Sequence, residues 1–242
     1  MNAVTPRLDA WLASPLGTAL LDQERAAVAE AMECVFGTQC LQVGRWGPPG
    51  LFLDLARTQR HALLSPNGPG DRGIRSLASS LAIQSDSIDA LLLPHTLEFA
   101  QDPHQVLREA ERVLRAEGCL LITGFEPLGG WALRGRLSRG EFPPGIARWL
   151  PERRLADWLK LLSFEVDPAS RFLYTLPFAR AQSGRVRRWT EGSGRALWRR
   201  LSGAYVLRAR KRVYSVTPLR PQFRARPAVI GGLAEPTTRV GT

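Results

Sequence analysis

Apolar residues along this chain fall into two kinds of pattern, and the switches between them mark the expected elements. In residues 14–36, Leu20, Leu21, Ala27, Val28, Ala31 and Met32 recur at helical spacing, with Glu24 and Glu30 assigned to the solvent side. Ser14 and Pro15 supply a cap and a proline at the first helical position, and Gly37 is read as the stop. Elsewhere the apolar residues run continuously: QCLQVG (39–44), HALLS (61–65), SIDALLLP (87–94) and CLLITGF (119–125). Runs of this length read as strands buried on both faces. Between them lie the Gly/Pro loop GRWGPPG (44–50), a short helix or strand in LFLDLARTQ (51–59) and the turn-rich PNGPGDRG (66–73).

The segment 87–125 has the clearest grammar. Asp102 caps a helix opened by Pro103, and Gln105 is placed for a capping box. Val106, Leu107, Ala110, Val113 and Leu114 make one apolar stripe. Arg108, Glu109, Glu111, Arg112 and Arg115 take the wet side, and Gly118 is the expected stop. Strand, helix, strand in this order predicts a right-handed βαβ unit with parallel strands. Farther on, 147–166 predicts an amphipathic helix with Leu155, Trp158, Leu159 and Leu162 inward. A strand broken at Pro168 follows, then a strand over 204–218 whose first half shows no clean apolar face. The alternation predicts an α/β fold: a doubly wound, mostly parallel sheet ending in an antiparallel hairpin.

Composition changes this picture little until charge is mapped. The chain has 242 residues, 44% of them hydrophobic, enough for a sizeable core. No apolar run reaches the ~18–20 residues of a membrane span, and the N-terminus lacks the pattern of a signal peptide. Cys34, Cys40 and Cys119 have no metal-ligand spacing and read as reduced, buried thiols of a cytoplasmic protein. The net charge of +11 is uneven: between Arg180 and Arg226 stand fourteen Arg or Lys and one acid, Glu191. Interleaved with Trp189, Trp198, Tyr205 and Tyr214, this segment reads as a surface for RNA or another polyanion, or as a solvated basic face. The expected organisation is one domain over 1–218, with helix 14–36, a ligand-binding half 37–125 and a substrate-side half 126–218, followed by a disordered basic tail at 219–242.

In such a sheet, ligands bind beyond the carboxyl ends of strands, at the point where strand order reverses. Three strand ends qualify: QVGRWG, LLSPNG and LLLPHTLE. Gly44 and Gly47 would let the backbone approach a ligand closely. His95, with Glu98 and Glu126 bordering the same face, forms a candidate base-and-orienter pair. His61 and His104 read as exposed or structural. The loop 124–145, with Trp131, Arg134 and Arg136, reads as a substrate lid or as a segment packed onto the body.

CLQVG, a second strand ending in a loop, and then SLASSLAIQSDSIDALLLPHTLEFAQDPHQVLREAERVLRAEGCLLITGFEP together resemble a class I S-adenosylmethionine-dependent methyltransferase of the ubiquinone/menaquinone-biosynthesis type. Within that group the chain is similar to uncharacterised bacterial YafS-type proteins, through QVGRWG and LPHTLEF. The resemblance covers about residues 35–175. It implies a Rossmann-like methyltransferase fold, S-adenosylmethionine as cofactor, and a small-molecule or RNA methyl acceptor. The cofactor would lie against Gln42, Gly44, Trp46, Gly47, Ser65, Leu93, Pro94 and His95. The chain departs from the family at Gln42, where an acid is usual, and at Trp46, which stands at the second glycine position. Gly47 comes one place late, and Ser65-Pro66 replaces the acid that ends the second strand. No residue is assigned to catalysis. An inactive member that binds RNA is the competing expectation. A nucleotide-dependent oxidoreductase is disfavoured, since no G-x-G-x-x-G opens a helix.

Overall fold

A computed structural model describes residues 6–66, 73–137, 142–173, 202–213 and 241. Helices α1 (Pro6–Leu12) and α2 (Pro15–Met32) lead into strand β1 (Phe36–Val43). The Ser14 side chain accepts the Gly17 N–H at 3.2 Å and starts α2 as expected. The helix ends at Met32, though, and Gly37 lies inside β1. A Cβ there would stand 2.5 Å from the Asp89 side chain, whose carboxylate receives the Thr38 and Gln39 N–H groups. This glycine therefore serves strand packing, and the helix stops without it.

A short 3-10 turn at Leu53–Leu55 precedes β2 (Arg57–Ser65), so both readings of LFLDLARTQ apply to successive parts of it. Strand β3 (Gly73–Arg75) is brief. Strand β4 (Ile88–Pro94) is followed by α3 (Thr96–Phe99), α4 (Pro103–Val113) and β5 (Leu114–Phe125). Asp102 caps α4 by accepting the Gln105 N–H. Gly118 does not end this helix: the chain leaves it at Val113, and the β4–β5 register shifts between Ile88 and Ala90. The turn that realigns the strand falls at Glu117, with φ +63°, beside Gly118. Helices α5 (Gly130–Leu137) and α6 (Glu152–Leu161) precede β6 (Phe164–Val166), β7 (Ser170–Phe172) and β8 (Ala204–Lys211).

The sheet order is β3-β2-β1-β4-β5-β8-β6, with β7 also on β8. The first five strands are parallel, and β8 runs antiparallel to β5, β6 and β7. Strand order reverses between β1 and β4. Leu41, Leu91, Leu93, Leu120 and Leu207 pack against α4 and α6 on one face. Cys40, Ala90, Leu92, Leu121 and Val206 pack against α1, α2 and α5 on the other. This explains the missing alternation in β8: both of its faces are covered in the first half, as Ala204 through Leu207 are all buried. Lys211 at its end is buried too, with Nζ 2.7 and 2.8 Å from the Glu111 and Leu114 carbonyls and 3.0 Å from Asp86. It satisfies carbonyls at the end of α4, where a cation is favoured.

The wet side of α4 is a staple. Glu109 accepts the Leu81 N–H at 2.7 Å, and Arg112 reaches the Leu81 and Ile83 carbonyls at 2.9 Å each. Together they fix the non-helical connection that leads into β4. Trp131 on α5 is buried and stacks near Phe125 and Phe142, so it packs the 124–137 segment onto the body. Apart from residue 241, the expected tail at 219–242 lies outside the described residues, as does most of the basic segment 180–226.

Candidate functional site

The carboxyl end of β4 makes a sharp corner. His95 takes the left-handed conformation, with φ +51°, and its N–H reaches the Thr123 carbonyl on β5 at 3.2 Å. The corner swings the imidazole into the crevice beside β1, and α3 begins at the next residue. Glu98, three residues on, is then a neighbour of its own corner. His95 Nδ1 lies 2.5 Å from Glu98 Oε2, and Glu98 Oε1 accepts the Phe125 N–H at 2.8 Å.

The second ring nitrogen has a partner from a distant element. Nε2 lies 2.5 Å from Glu24 Oε1 on α2. The other oxygen of Glu24 accepts the Trp46 indole N–H at 2.6 Å. Trp46 and Phe125 lie against the imidazole, with ring centroids at 4.2 and 4.3 Å. His95, Glu24 and Glu98 are 0%, 0% and 1% exposed. Glu24, expected in solvent, is thus the most consequential correction to the sequence reading. It stands four residues after Leu20 and four before Val28, within the buried stripe of α2.

The electrostatics follow from this geometry. Burial alone would push the imidazole pKa down, but the Glu24 and Glu98 carboxylates outweigh it and hold His95 up at about 9. Burial raises Glu98 above the usual carboxylate range, with His95 pulling the other way. Both ring nitrogens are engaged, so none is left to take a proton from a substrate.

The remaining candidates divide into two groups. Gln42 is buried on β1; its Nε2 donates to the Gly44 carbonyl at 3.0 Å, while its Oε1 has no partner. Gly44 and Gly47 have φ +90° and +70°. A Cβ on Gly44 would stand 2.9 Å from Thr96 Oγ1, and one on Gly47 3.1 Å from Leu21. The Thr96 hydroxyl donates in turn to the Val43 carbonyl. The chain's own side chains therefore fill the space the two glycines leave. Ser65 is buried at the end of β2, where it pairs with Arg75 of β3. Leu93 belongs to the core on the α4 side, so only its backbone borders the crevice, and the Pro94 carbonyl accepts from Thr96. Glu126, past the end of β5, is buried and its carboxyl is raised by burial. His61 is exposed on β2, and His104 is exposed against Trp158.

Replacing Gly44 with alanine should cost about 1–3 kcal/mol of stability, because the new Cβ meets both an unfavourable φ and the Thr96 hydroxyl. Urea unfolding measures this; a loss below about 0.5 kcal/mol would show that the corner relaxes freely.

Among the described residues no cluster of His, Cys, Asp or Glu is arranged to hold a metal, and no helix is long and apolar enough to cross a membrane. Residues 53–122 match the family of methyltransferase domains. The chain is 43% identical over 99 residues to the uncharacterised protein YafS of Escherichia coli K12, covering 40% of this chain and 41% of that one. It spans about half the length of the curated relatives it matches. Among solved structures it superposes on a Haloferax volcanii methyltransferase in complex with the Trm112 activator, with TM-score 0.60 and 15% identity, over 87% of this chain and all of that one. It superposes likewise on an S-adenosylmethionine-dependent methyltransferase from Archaeoglobus fulgidus, with TM-score 0.57 and 17% identity, over 80% and 94% of the two chains. The fold is that of the class I methyltransferases.

Proposed function

We propose that this chain binds S-adenosylmethionine at the β1/β4 crevice and acts as a methyltransferase. The observation that carries this reading is the buried, unpartnered Gln42 Oε1 at the end of β1, where strand order reverses. A buried carbonyl oxygen without a donor costs about 1–3 kcal/mol, and a ligand N–H or O–H removes that cost. Gln42, Ser65 and the Pro94–His95 backbone would hold the cofactor; when bound, it supplies an electrophilic methyl group on a sulfonium. His95 acts here by position and charge. Glu24 and Glu98 fix its ring, and its engaged nitrogens rule it out as a proton acceptor while the triad is intact. Methyl transfer can proceed by alignment of the reacting atoms alone.

The acceptor is read as a small molecule. In the described part of the basic segment, Arg208 pairs with Asp167, Lys211 with Asp86 and Glu111, and Arg212 with Glu117 and Glu165. These cations are not free for phosphates. A cytoplasmic location goes with this reading. A second reading, a domain without transfer activity, is favoured by Trp46, whose buried ring lies over His95 at the second glycine position.

Titration calorimetry separates the two. Saturable heat with S-adenosylmethionine is expected, with affinity about tenfold weaker in Gln42→Leu, the value of one buried hydrogen bond. The free fold of that variant should lose little stability, because the substitution also removes an unpaired carbonyl. No heat at millimolar ligand on folded protein would leave the inactive domain as the reading.

A further inference from the structure

One flank of the sheet is incompletely built. Strand β2 pairs with β1 along nearly its whole length, from Arg57 to Leu64. On its other side β3 pairs only with Leu63, Leu64 and Ser65. Among the described residues, no strand pairs with that side of Arg57–Ala62. Backbone N–H and C=O groups along such an edge are a template for another extended chain.

The same flank holds a cavity of about 350 Å³. Leu41, Ala62, Ile74 and Ile83 give it apolar walls, and Arg60 and His61 line it from the edge strand. The chain between β3 and β4, which lines it at Ala82, Ile83, Gln84 and Ser87, passes in non-helical form. Ile74 and Leu77 next to it are 39% and 50% exposed. An edge with a neighbouring side-chain pocket is what strand addition uses: main-chain bonds give affinity and the pocket gives selectivity.

Charge selects the occupant. From Leu55 to Ser85 the chain carries Arg57, Arg60, Arg72 and Arg75 against one acid, Asp71. Arg60 and Arg75 are exposed and have no ion-pair partner among the described residues. A second copy added edge to edge would set these arginines against their equivalents. Residues 214–242 of this chain carry Arg220, Arg224, Arg226 and Arg239 against Glu235, and are repelled in the same way. We infer that the unpaired half of β2 is a docking edge for an extended acidic segment of a partner protein, which adds a strand beside Arg57–Ala62 and sets an apolar side chain in the adjoining cavity. This inference is independent of what the β1/β4 crevice binds.

The test uses fluorescence anisotropy of a short labelled peptide that alternates Glu with Val and Ile, with two control peptides. One control has Lys in place of Glu; the other is the acidic peptide N-methylated at alternate residues, which keeps its charge and removes its ladder donors. The acidic peptide should bind at least tenfold tighter than either control. Arg60→Glu should weaken it tenfold or more with the melting temperature unchanged. Equal binding of the N-methylated peptide would reduce the site to charge adhesion and overturn the docking edge, as would no binding at all. Binding that appears only after removal of residues 214–242 would make the chain itself the occupant. A dimer that the peptide dissociates would make it a second copy. Either result overturns the acidic partner.

Discussion

Glu24→Ala should lower the unfolding free energy by about 3–5 kcal/mol, the loss typical when one partner of a buried charge pair is removed. The substitution strands two donors at once. His95 Nε2 loses its carboxylate at 2.5 Å, and the Trp46 indole N–H loses its acceptor at 2.6 Å. Neither can turn to water, since His95 is 0% and Trp46 1% exposed. Glu24→Gln separates hydrogen bonding from charge: the amide still meets both groups, so its loss should be smaller, while the imidazole pKa should fall with one carboxylate gone. Urea unfolding gives the first quantity and histidine NMR titration the second. If Glu24→Ala costs under about 1 kcal/mol, Glu24 is not a structural member of the triad.

Raising the pH from about 6.5 to about 9 should destabilise the fold by a few kcal/mol. His95 is held up at about 9 in the folded state, against ~6.5 in an unfolded chain. A group whose folded pKa is raised contributes its full stability below the unfolded value and loses it as pH rises through the folded value. Glu98, also raised, acts with the same sign. At 1.36 kcal/mol per tenfold change in proton affinity, the His95 contribution is on the order of 3 kcal/mol. Urea melts at pH 6.5 and 9.5 measure it, and the difference should largely vanish in His95→Gln. A pH-independent stability over this interval would mean that the folded triad holds no proton beyond those of the unfolded chain.

Much of the framework was readable because local rules and packing agree there. Asp102-Pro103 starts α4 by capping chemistry that needs no distant partner. The apolar runs of β4 and β5 are buried on both faces, as their lack of alternation requires. Boundaries were harder. Gly37 and Gly118 looked like helix stops because glycine commonly is one, yet both serve β-strand geometry. The reason Gly37 has no side chain is Asp89, fifty-two positions away and adjacent only once β1 and β4 pair.

The site divides in the same way. Residue order alone placed His95 at a strand end, and the spacing to Glu98 put the two within one turn of each other. The Gly44 and Gly47 corner was equally visible. The third member was not: Glu24 is seventy-one residues from His95. The only local hint was an acid in an apolar stripe, which helical spacing by itself does not distinguish from a solvated face. Likewise Trp46 read as an intrusion into a glycine loop, and the fold gives it a partner for its N–H and a ring to stack on.

The sequence by itself therefore determined the α/β class and the order of the principal strands and helices, though not α1, β3, α3 or α5, and it put His95 at a strand end. These follow from periodicity, capping and turn residues, whose physics acts over a few positions. Only the tertiary structure decided that α2 contributes a carboxylate to that strand end, that the imidazole is doubly engaged and sealed, and that, among the described residues, half of β2 pairs on one side only. Those features depend on which distant surfaces meet. Desolvation then sets the proton affinity of each group, and neither the meeting nor the desolvation exists before the chain has packed.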